Sequence, residues 1–234
     1  MNCVLVIAPH PDDEVLGCGG VIARHVELGD DVFVAIATRG ATDVFPRELV
    51  EQVRKEAQAA NALLGTKRIF FLDFPAPRLD VVPASSLAAA IKSVVQEVQA
   101  STVYLPHQGD IHGDHKAVYW AGLVACRPNG GFFPRRLLSY ETPSETEWGS
   151  PVASDAFIPT VFVDISSYIE VKLAAMKCYE SQMMPSPAAR SLESIEALAR
   201  FRGSTVGVRA GEAYGLIREV VLQPVERRRR TACS

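Results

Sequence analysis

Short apolar runs alternate with segments of helical periodicity along the first half of the chain. In the segments between the runs, apolar residues recur every three or four positions, which is the spacing of an amphipathic helix. The runs themselves are continuously apolar, which is typical of strands covered by helices on both faces. The pattern therefore predicts the order βαβαβαβα and a doubly wound, mostly parallel sheet with right-handed crossovers. The predicted strands are "CVLVIA", "DVFVAIAT", "RIFFL" and "TVYLP".

The regular alternation of apolar runs and helical segments ends at about residue 130. We predict two further strands, "RRLLSYE" and "PTVFVDIS", and three helices around "YIEVKLAAMKCYESQM", "LESIEALARFRG" and "GEAYGLIREVV". The polar stretch 142–157 is long enough to form a loop over a site. The chain as a whole predicts a single Rossmann-like α/β domain over residues 1–222, followed by a basic, flexible tail over residues 223–234.

Composition and charge narrow the classes of function. Apolar residues make up 48% of the 234 residues and charged residues 22%, an ordinary globular balance. The formal net charge of −3 gives no electrostatic basis for nucleic acid as the main partner. No apolar stretch reaches the roughly 18 residues of a membrane span, and the N-terminus enters an apolar run without a basic leader. We therefore expect a cytoplasmic protein.

The cysteines do not predict a disulfide framework or a thiolate metal site. Five cysteines are scattered along the chain without a C-x-x-C spacing. An odd, dispersed set suits reduced thiols in the cytoplasm. Cys18 stands close to a polar segment, and we interpret it as a small buried side chain rather than a nucleophile.

Polar side chains are concentrated behind two of the predicted strands. The first strand leads into "APHPDDE", and the fourth leads into "PHQGDIHGDH". Three of the five histidines of the chain fall within nine residues of the second segment, and a fourth, His10, lies in the first. Ligands of an open α/β sheet bind at the carboxyl ends of the strands. We therefore expect the two clusters to meet.

The residue types in the two clusters suit a catalytic metal. A catalytic zinc takes three protein ligands from His, Asp and Glu and keeps a position for water, and His10, Asp13 and His115 supply such a set. Carboxylates that remain can act as a base or orient the histidines. The alternative is a hydrogen-bonded turn around His10 beside a second loop that is merely polar.

The glycines of "GCGGVIAR" suggest a dinucleotide-binding loop, but the details do not fit. Gly17 and Gly19 give G-x-G, whereas Ile22 stands at the third glycine position. Thr38 and Arg39 stand where the ribose-binding acid is expected. We instead interpret the glycines as a tight strand-to-helix turn with close backbone approach.

The motifs "APHPDDE" and "HGDH" resemble the two signature motifs of the PIG-L/LmbE-like family of zinc-dependent N-deacetylases. These enzymes remove acetyl from N-acetylglucosaminyl and related amino-sugar conjugates. Softer similarities are the helix "VRKEAQAANALLG" and the later segment "VFVDISSYIEVKLAAMKCYESQ", so the resemblance covers the chain up to about residue 183.

The resemblance implies a zinc ion held by His10, Asp13 and His115, with Fe²⁺ or Mn²⁺ as substitutes. It also implies that Asp12 is the general base, that His112 stabilises the oxyanion or protonates the leaving amine, and that Asp114 orients a histidine. Elementary chemistry agrees, because Asp12 lies beside a ligand without being one and a cationic His112 can meet developing negative charge. Asp110 also suits the fixing of a histidine tautomer.

Three residues are candidates for contact with the substrate: Arg39, Arg54 and Asp80. Arg39 follows the second strand, Arg54 lies on the family-like helix, and Asp80 stands where the family places a substrate-facing acid, although "FPAPRLD" departs from the usual pattern. For Arg54 a solvated helix face is an equal alternative. We interpret His107 as a loop residue outside the core motif.

The sequence thus predicts a hydrolase that deacetylates a small-molecule amino-sugar conjugate. Two alternatives remain: a metal-dependent hydrolase of another amide or ester, and a catalytically silent protein that keeps the metal for structure. The spare carboxylate of Asp12 argues against the silent protein. Self-association into a homo-oligomer is left open.

Overall fold

The computed structural model describes residues 2–223 and contains one mixed sheet flanked by helices. The basic segment of the predicted tail lies outside the described residues. The strands are β1 (Cys3–Ala8), β2 (Asp31–Gly40), β3 (Arg68–Ala76), β4 (Thr102–Pro106), β5 (Arg136–Tyr140), β6 (Val161–Asp164) and β7 (Gly211–Glu219). The helices are α1 (Asp13–Glu27), α2 (Arg47–Leu64), α3 (Ala84–Val98), α4 (Gly113–Ala125), α5 (Ile169–Lys177) and α6 (Leu192–Ser204), with a short 3-10 helix at Leu79–Val81.

The strand order is β3-β2-β1-β4-β5-β7-β6, and β1 to β5 pair in parallel. The prediction of a doubly wound, mostly parallel α/β sheet is therefore confirmed. Successive residues of β1 show why its apolar run is continuous, because Val4 and Val6 face one hydrophobic layer while Leu5 and Ile7 face the other. The first layer contains α1, α2 and α5, and the second contains α3 and α4.

The last element differs from the prediction. The segment "GEAYGLIREVV" was predicted as a helix, but residues 211–219 form β7, which pairs antiparallel with both β5 and β6. Gly211 and Gly215 lower the helix propensity of this segment. Two neighbouring strands supply partners for its backbone, so tertiary pairing decides the conformation.

The glycines after β1 also lie elsewhere than expected. Gly17, Gly19 and Gly20 belong to α1 itself, not to a strand-to-helix turn. The expected close approach is present, since a Cβ on Gly20 would lie 2.7 Å from Ile165 and one on Gly17 would overlap the ring of Tyr140. These glycines let α1 pack tightly against its neighbours.

The topology brings the two polar clusters together. β1 pairs with β4 on one side and with β2 on the other, so the order of connection reverses between β1 and β4. This reversal opens a crevice at the carboxyl ends of the two strands, where ligands of such sheets bind. Within residues 2–223, no helix has the length and apolar character needed to cross a bilayer.

Candidate metal centre and adjoining cavity

A buried glutamate holds the turn after β1 in an unusual conformation. Asp12, which precedes α1, has φ 109°, a region that residues other than glycine enter at a cost of about 1–3 kcal/mol. The Glu14 carboxylate accepts hydrogen bonds from the Asp12 amide at 3.1 Å, from the Asn61 side chain at 2.8 Å and from the Tyr179 hydroxyl. Glu14 thus fixes the turn, a role that sequence reasoning missed because its partners are distant along the chain.

The second cluster lies on the first turn of α4. His112 caps this helix, since its Nδ1 accepts a hydrogen bond from the Asp114 amide at 3.1 Å. The Asp114 carboxylate accepts hydrogen bonds from the Leu79 amide at 2.9 Å and from His10 Nε2 at 3.0 Å. Asp114 therefore joins the second cluster to the first.

Three side chains converge between β1 and β4. His10, Asp13 and His115 each offer a ligand atom, and these atoms lie within 4.8 Å of one another. Asp13 Oδ2 lies 3.4 Å from His10 Nδ1 and 3.3 Å from His115 Nε2. Asp13 and His115 are fully buried. The structure thus brings together the three predicted metal ligands.

A second group of potential ligands, His10, His112 and Asp114, also lies within 4.8 Å. Its atoms have other partners, because His10 Nε2 is bonded to Asp114 and His112 Nδ1 to a backbone amide. His10 Nδ1, in contrast, faces Asp13. The hydrogen bonds therefore favour the group that contains Asp13.

Outer carboxylates set the orientation of both ligand histidines. Asp110 Oδ2 lies 2.8 Å from His115 Nδ1, and its Oδ1 accepts a hydrogen bond from the Thr146 hydroxyl at 2.6 Å. Asp114 plays the same part for His10 Nε2. A carboxylate accepts hydrogen bonds, so the outer nitrogen of each ring donates and the inner nitrogen points at Asp13. This is the arrangement predicted for Asp110 and Asp114.

Two buried ligand atoms in the centre of the cluster give the strongest indication that a cation binds here. Asp13 Oδ1 and His115 Nε2 are buried and make no hydrogen bond to any residue in the described part of the chain. Buried polar atoms are nearly always bonded, because leaving them without a partner is costly. Two nitrogens and a carboxylate are ligands that suit Zn²⁺, Fe²⁺ or Mn²⁺. The residues present fit a divalent metal.

The charges of the centre also favour a cation. Burial opposes ionisation of Asp13, but His115 and His10 beside it hold the pKa of that carboxyl well below its usual range. Burial likewise opposes a charge on His115, yet Asp13 and Asp110 raise its pKa to about 10. A field that retains a proton on His115 can hold a divalent cation in its place, with release of that proton.

Asp12 lies beside the three ligands and has a different partner. Its carboxylate accepts a hydrogen bond from the Arg190 guanidinium at 3.0 Å. Arg190 also donates to Ser144 at 2.7 Å and lies 3.6 Å from Glu145. Burial raises the pKa of Asp12 to about 8, which Arg190 opposes and Asp13 reinforces.

Sequence reasoning missed Arg190 and Glu145. Arg190 lies 178 residues from Asp12, in the connection between α5 and α6, and no spacing or motif marks it. Glu145 belongs to the polar stretch 142–157 that we predicted to cover a site. That composition was the available signal for Glu145, but it did not single out the residue.

The hydrogen bonding of His112 favours a neutral ring over the cationic form that we expected from the sequence. Its Nδ1 accepts a backbone hydrogen bond, so the ring can be neutral with the proton on Nε2. Burial and the neighbouring His10 lower its pKa, which favours the neutral form. The two rings lie 4.6 Å apart between centroids, which keeps His112 next to the predicted metal ligands. Its available group is a neutral N–H donor.

A cavity of about 440 Å³ opens beside the metal centre. Its polar lining includes His10, Asp12, His112, Glu145 and Arg190. Arg39, Arg54, Ser181 and Gln182 also line it. Arg39 and Arg54 are therefore placed where they can meet a substrate.

Two other predicted positions lie apart from the cavity. Asp80 is exposed and is not among the residues that line it, although the neighbouring Leu79 amide bonds Asp114. Trp148, in the predicted loop over the site, is 60% exposed and also lies outside the lining. A substrate contact for Asp80 stays a prediction. The stretch 142–157 contributes Glu145 to the lining, Thr146 as a support of Asp110, and Ser144 as a partner of Arg190.

Comparisons with known proteins agree with this geometry. The family described as "PIG-L: GlcNAc-PI de-N-acetylase" matches residues 5–126. The chain is 33% identical to "Uncharacterized deacetylase YaiS" of Escherichia coli K12, over 76% of this chain and 90% of that protein. It is 30% identical to diacetylchitobiose deacetylase of Thermococcus kodakarensis, over 76% of this chain and 69% of that protein. The crystal structure of the conserved protein TT1542 from Thermus thermophilus gives a TM-score of 0.76 at 28% identity, over 97% of this chain and 100% of that one.

Proposed function

The chain belongs to the PIG-L family of N-deacetylases, and from this premise we propose that it hydrolyses the N-acetyl group of an amino sugar or its conjugate at a zinc centre. The observation that carries the proposal is a pair of buried atoms, Asp13 Oδ1 and His115 Nε2, that have no hydrogen-bond partner among residues 2–223. A separate carboxylate, that of Asp12, lies beside them. A metal needs such ligand atoms, and hydrolysis needs a base that is not itself a ligand. Diacetylchitobiose deacetylase, by its name, acts on an N-acetylated sugar, which supports the substrate class.

We assign the metal to His10, Asp13 and His115, with Fe²⁺ and Mn²⁺ as the substitutes for Zn²⁺. Such a metal, when bound, polarises the acetamide carbonyl and lowers the pKa of a nearby water. Asp110 and Asp114 keep the outer nitrogens of the two histidines protonated, so that the inner nitrogens remain available as ligands.

The reaction itself is assigned to Asp12 and His112. Asp12 takes a proton from the attacking water, whose oxygen forms a bond to the acetamide carbon, and returns it to the sugar nitrogen as the C–N bond breaks. His112 donates its Nε2–H to the carbonyl oxygen while negative charge builds there. Arg190 orients the Asp12 carboxylate through their 3.0 Å hydrogen bond. The products are acetate and the amine in its protonated form, which takes up the second proton of the water.

The proposal also concerns the partner, the location and the assembly of the protein. We infer a small-molecule partner and no nucleic acid, since the net charge is −3. A cytoplasmic location is proposed from the scattered cysteines. Self-association stays a prediction.

A panel of N-acetylhexosamine conjugates tests the proposal, with released acetate as the readout for protein loaded with Zn²⁺, Fe²⁺ or Mn²⁺. The Asp12→Asn variant, loaded in the same way, is the control. We expect acetate from at least one conjugate with the original protein and at least about 10²-fold less with the variant.

The same panel includes N-acyl amino acids, which test the alternative of another amide hydrolase. If the carboxylic acid were released from the N-acyl amino acids and from none of the sugars, the assignment to an amino sugar would be overturned. The assignment to a metal-dependent hydrolase would remain. Bound metal without release from any compound would instead support the catalytically silent protein.

A further inference from the structure

We propose that the substrate carries an uncharged apolar substituent, which binds an apolar wall of the cavity beside the metal centre. The inference rests on the proposed function for the reaction, but it concerns a different part of the same cavity. The apolar surface and the metal ligand His10 line one continuous space of about 440 Å³. A group attached to an amide bound at the metal centre can therefore reach this surface.

The cavity has an apolar wall. α2 contributes part of this wall, and β3 with the segments that follow β2 and β3 contributes the rest. Its main members are Phe45, Leu49, Val50, Val53, Phe71 and Pro77. Apolar surface of this kind gains free energy when an apolar ligand group displaces water from it.

The wall is closely packed at its base. Val50 is 7% exposed, and a Cβ on Gly40 would lie 3.0 Å from Val50 and 3.2 Å from Phe45. The glycine at position 40 therefore leaves just enough space for these two side chains. A preformed wall is expected to bind its ligand without large rearrangement.

The arginines of the cavity already have carboxylate partners. Arg39 donates to Glu51 at 2.8 Å, and Arg54 donates to Asp73 at 2.6 Å. The Arg54 guanidinium also lies 3.8 Å from the centroid of the Phe71 ring, so it covers an aromatic face of the wall.

Arg190, the third arginine that lines the cavity, is bonded to Asp12. These pairings reduce the net positive charge that the three arginines present to a substituent. The apolar wall, rather than an ion pair, is therefore proposed to select the group on the substrate.

A glycoside series measures the predicted preference. The compounds are the methyl, butyl and 3-carboxypropyl glycosides of N-acetylglucosamine, and the readout is kcat/KM for acetate release. A fully buried methylene favours binding by about fourfold, so the butyl compound is expected to exceed the methyl compound at least about tenfold. The carboxypropyl compound has a similar length and is expected to lose this gain, since its carboxylate meets apolar surface.

The apolar group could belong to the aglycone or to the acyl chain, and a second arm separates these sources. It compares the N-acetyl and N-pentanoyl forms of the methyl glycoside. A gain in the first arm assigns the wall to the aglycone, and a gain in the second assigns it to the acyl chain. No gain in either arm, or a preference for the carboxylate, would overturn the inference.

Matched variants on α2 connect the preference to the wall. Leu49 lines the cavity, whereas Leu63 on the same helix is 44% exposed and lies outside the lining. Leu49→Asn is expected to reduce the ratio of butyl to methyl kcat/KM about fivefold or more. Leu63→Asn is expected to leave both values unchanged. Equal ratios in the two variants would contradict the assignment.

Direct binding distinguishes failure of this inference from failure of the proposed function. Octyl glucoside, which has no acetamide, is titrated calorimetrically below its micelle concentration. Binding with a negative heat-capacity change that Leu49→Asn weakens and Leu63→Asn does not would support the apolar subsite even without deacetylation. Acetate release without such binding or chain-length preference would retain the function and reject the subsite.

Discussion

Two buried polar clusters lie along α1, and they differ in how completely their atoms are bonded. The metal cluster, His10, Asp13 and His115, stands at the start of the helix. The lysine cluster, Lys172, Glu212 and Tyr214, packs against the middle of the same helix. In the metal cluster two buried ligand atoms have no hydrogen-bond partner among residues 2–223.

In the lysine cluster the charges are met by one another and by the helix backbone. Lys172 donates to Glu212 at 2.6 Å and to the Leu16 carbonyl at 2.8 Å. The Glu212 carboxylate accepts hydrogen bonds from the Gly20 and Val21 amides at 2.8 and 2.7 Å. The Tyr214 hydroxyl adds a further bond to Glu212 at 2.8 Å.

The difference teaches how to interpret buried charge. Burial and ionisable side chains are common to both clusters, so neither property identifies a site. A cluster whose charged atoms are all bonded within the protein contributes to the stability of the fold. Removal of one member leaves the other charged and buried without its partner, which is costly. A cluster with ligand atoms left over needs an additional partner, and at the end of β1 that partner is a metal in our account.

The largest effect outside the metal centre is expected for Lys172→Met. Loss of the ammonium leaves Glu212 buried without its cation, which should lower the free energy of unfolding by about 3–5 kcal/mol. Chemical denaturation measures this loss, and metal content per folded molecule should not change. Lys177→Met, at an exposed position of the same helix, is the control and should have little effect on stability. If Lys172→Met lost metal while its free energy of unfolding stayed normal, the lysine cluster would instead be part of the metal centre.

An intermediate effect is expected when the support of a ligand histidine is removed. Asp110→Ala deletes the carboxylate bonded to His115 Nδ1, so the ring loses its fixed orientation. We expect metal affinity to fall about 10- to 100-fold, as measured by competition with a chelating dye. Thr146→Val removes the hydroxyl that donates to Asp110 and accepts from the Thr142 amide, but it keeps the Asp110 carboxylate, so a smaller decrease is expected. Unchanged affinity in Asp110→Ala would show that the orientation of His115 is fixed by other contacts.

The smallest effect is expected at Trp148. This side chain is exposed and does not line the cavity, so Trp148→Ala should change KM for a large conjugate less than about twofold. Glu145→Ala removes a lining residue three positions away and should change KM more. A larger change in KM for Trp148→Ala than for Glu145→Ala would place the part of the stretch 142–157 around Trp148 over the bound substrate.

The sequence predicts the first half of the fold well because its signals are local. β1, β2 and β4 are largely buried apolar runs, β3 is a partly buried edge strand, and a segment of helical periodicity comes next along the chain after each of them. β7 is different, since its conformation depends on pairing with β5 and β6, which no local pattern contains. The location of the two polar clusters is predictable for a related reason, because the carboxyl ends of β1 and β4 adjoin in the doubly wound topology.

The environment of Asp12, the proposed general base, is not predictable in this way. Arg190 reaches Asp12 from a connection 178 residues away, and Glu14 is held by Asn61 and Tyr179 from two different parts of the chain. The preference of His112 for the neutral form depends on a backbone hydrogen bond at the start of α4. Such details require the three-dimensional arrangement.

The most direct test of the account compares the adjacent residues Asp12 and Asp13. Metal content by atomic emission and acetate release are measured on the same preparations of Asp12→Asn and Asp13→Ala. Asp13→Ala should lose the metal, because His10 and His115 alone form a poor site. Asp12→Asn should keep the metal and lose at least about 10²-fold in turnover. Loss of metal from Asp12→Asn with retention in Asp13→Ala would reverse the roles, and full activity in both variants would contradict the proposed site.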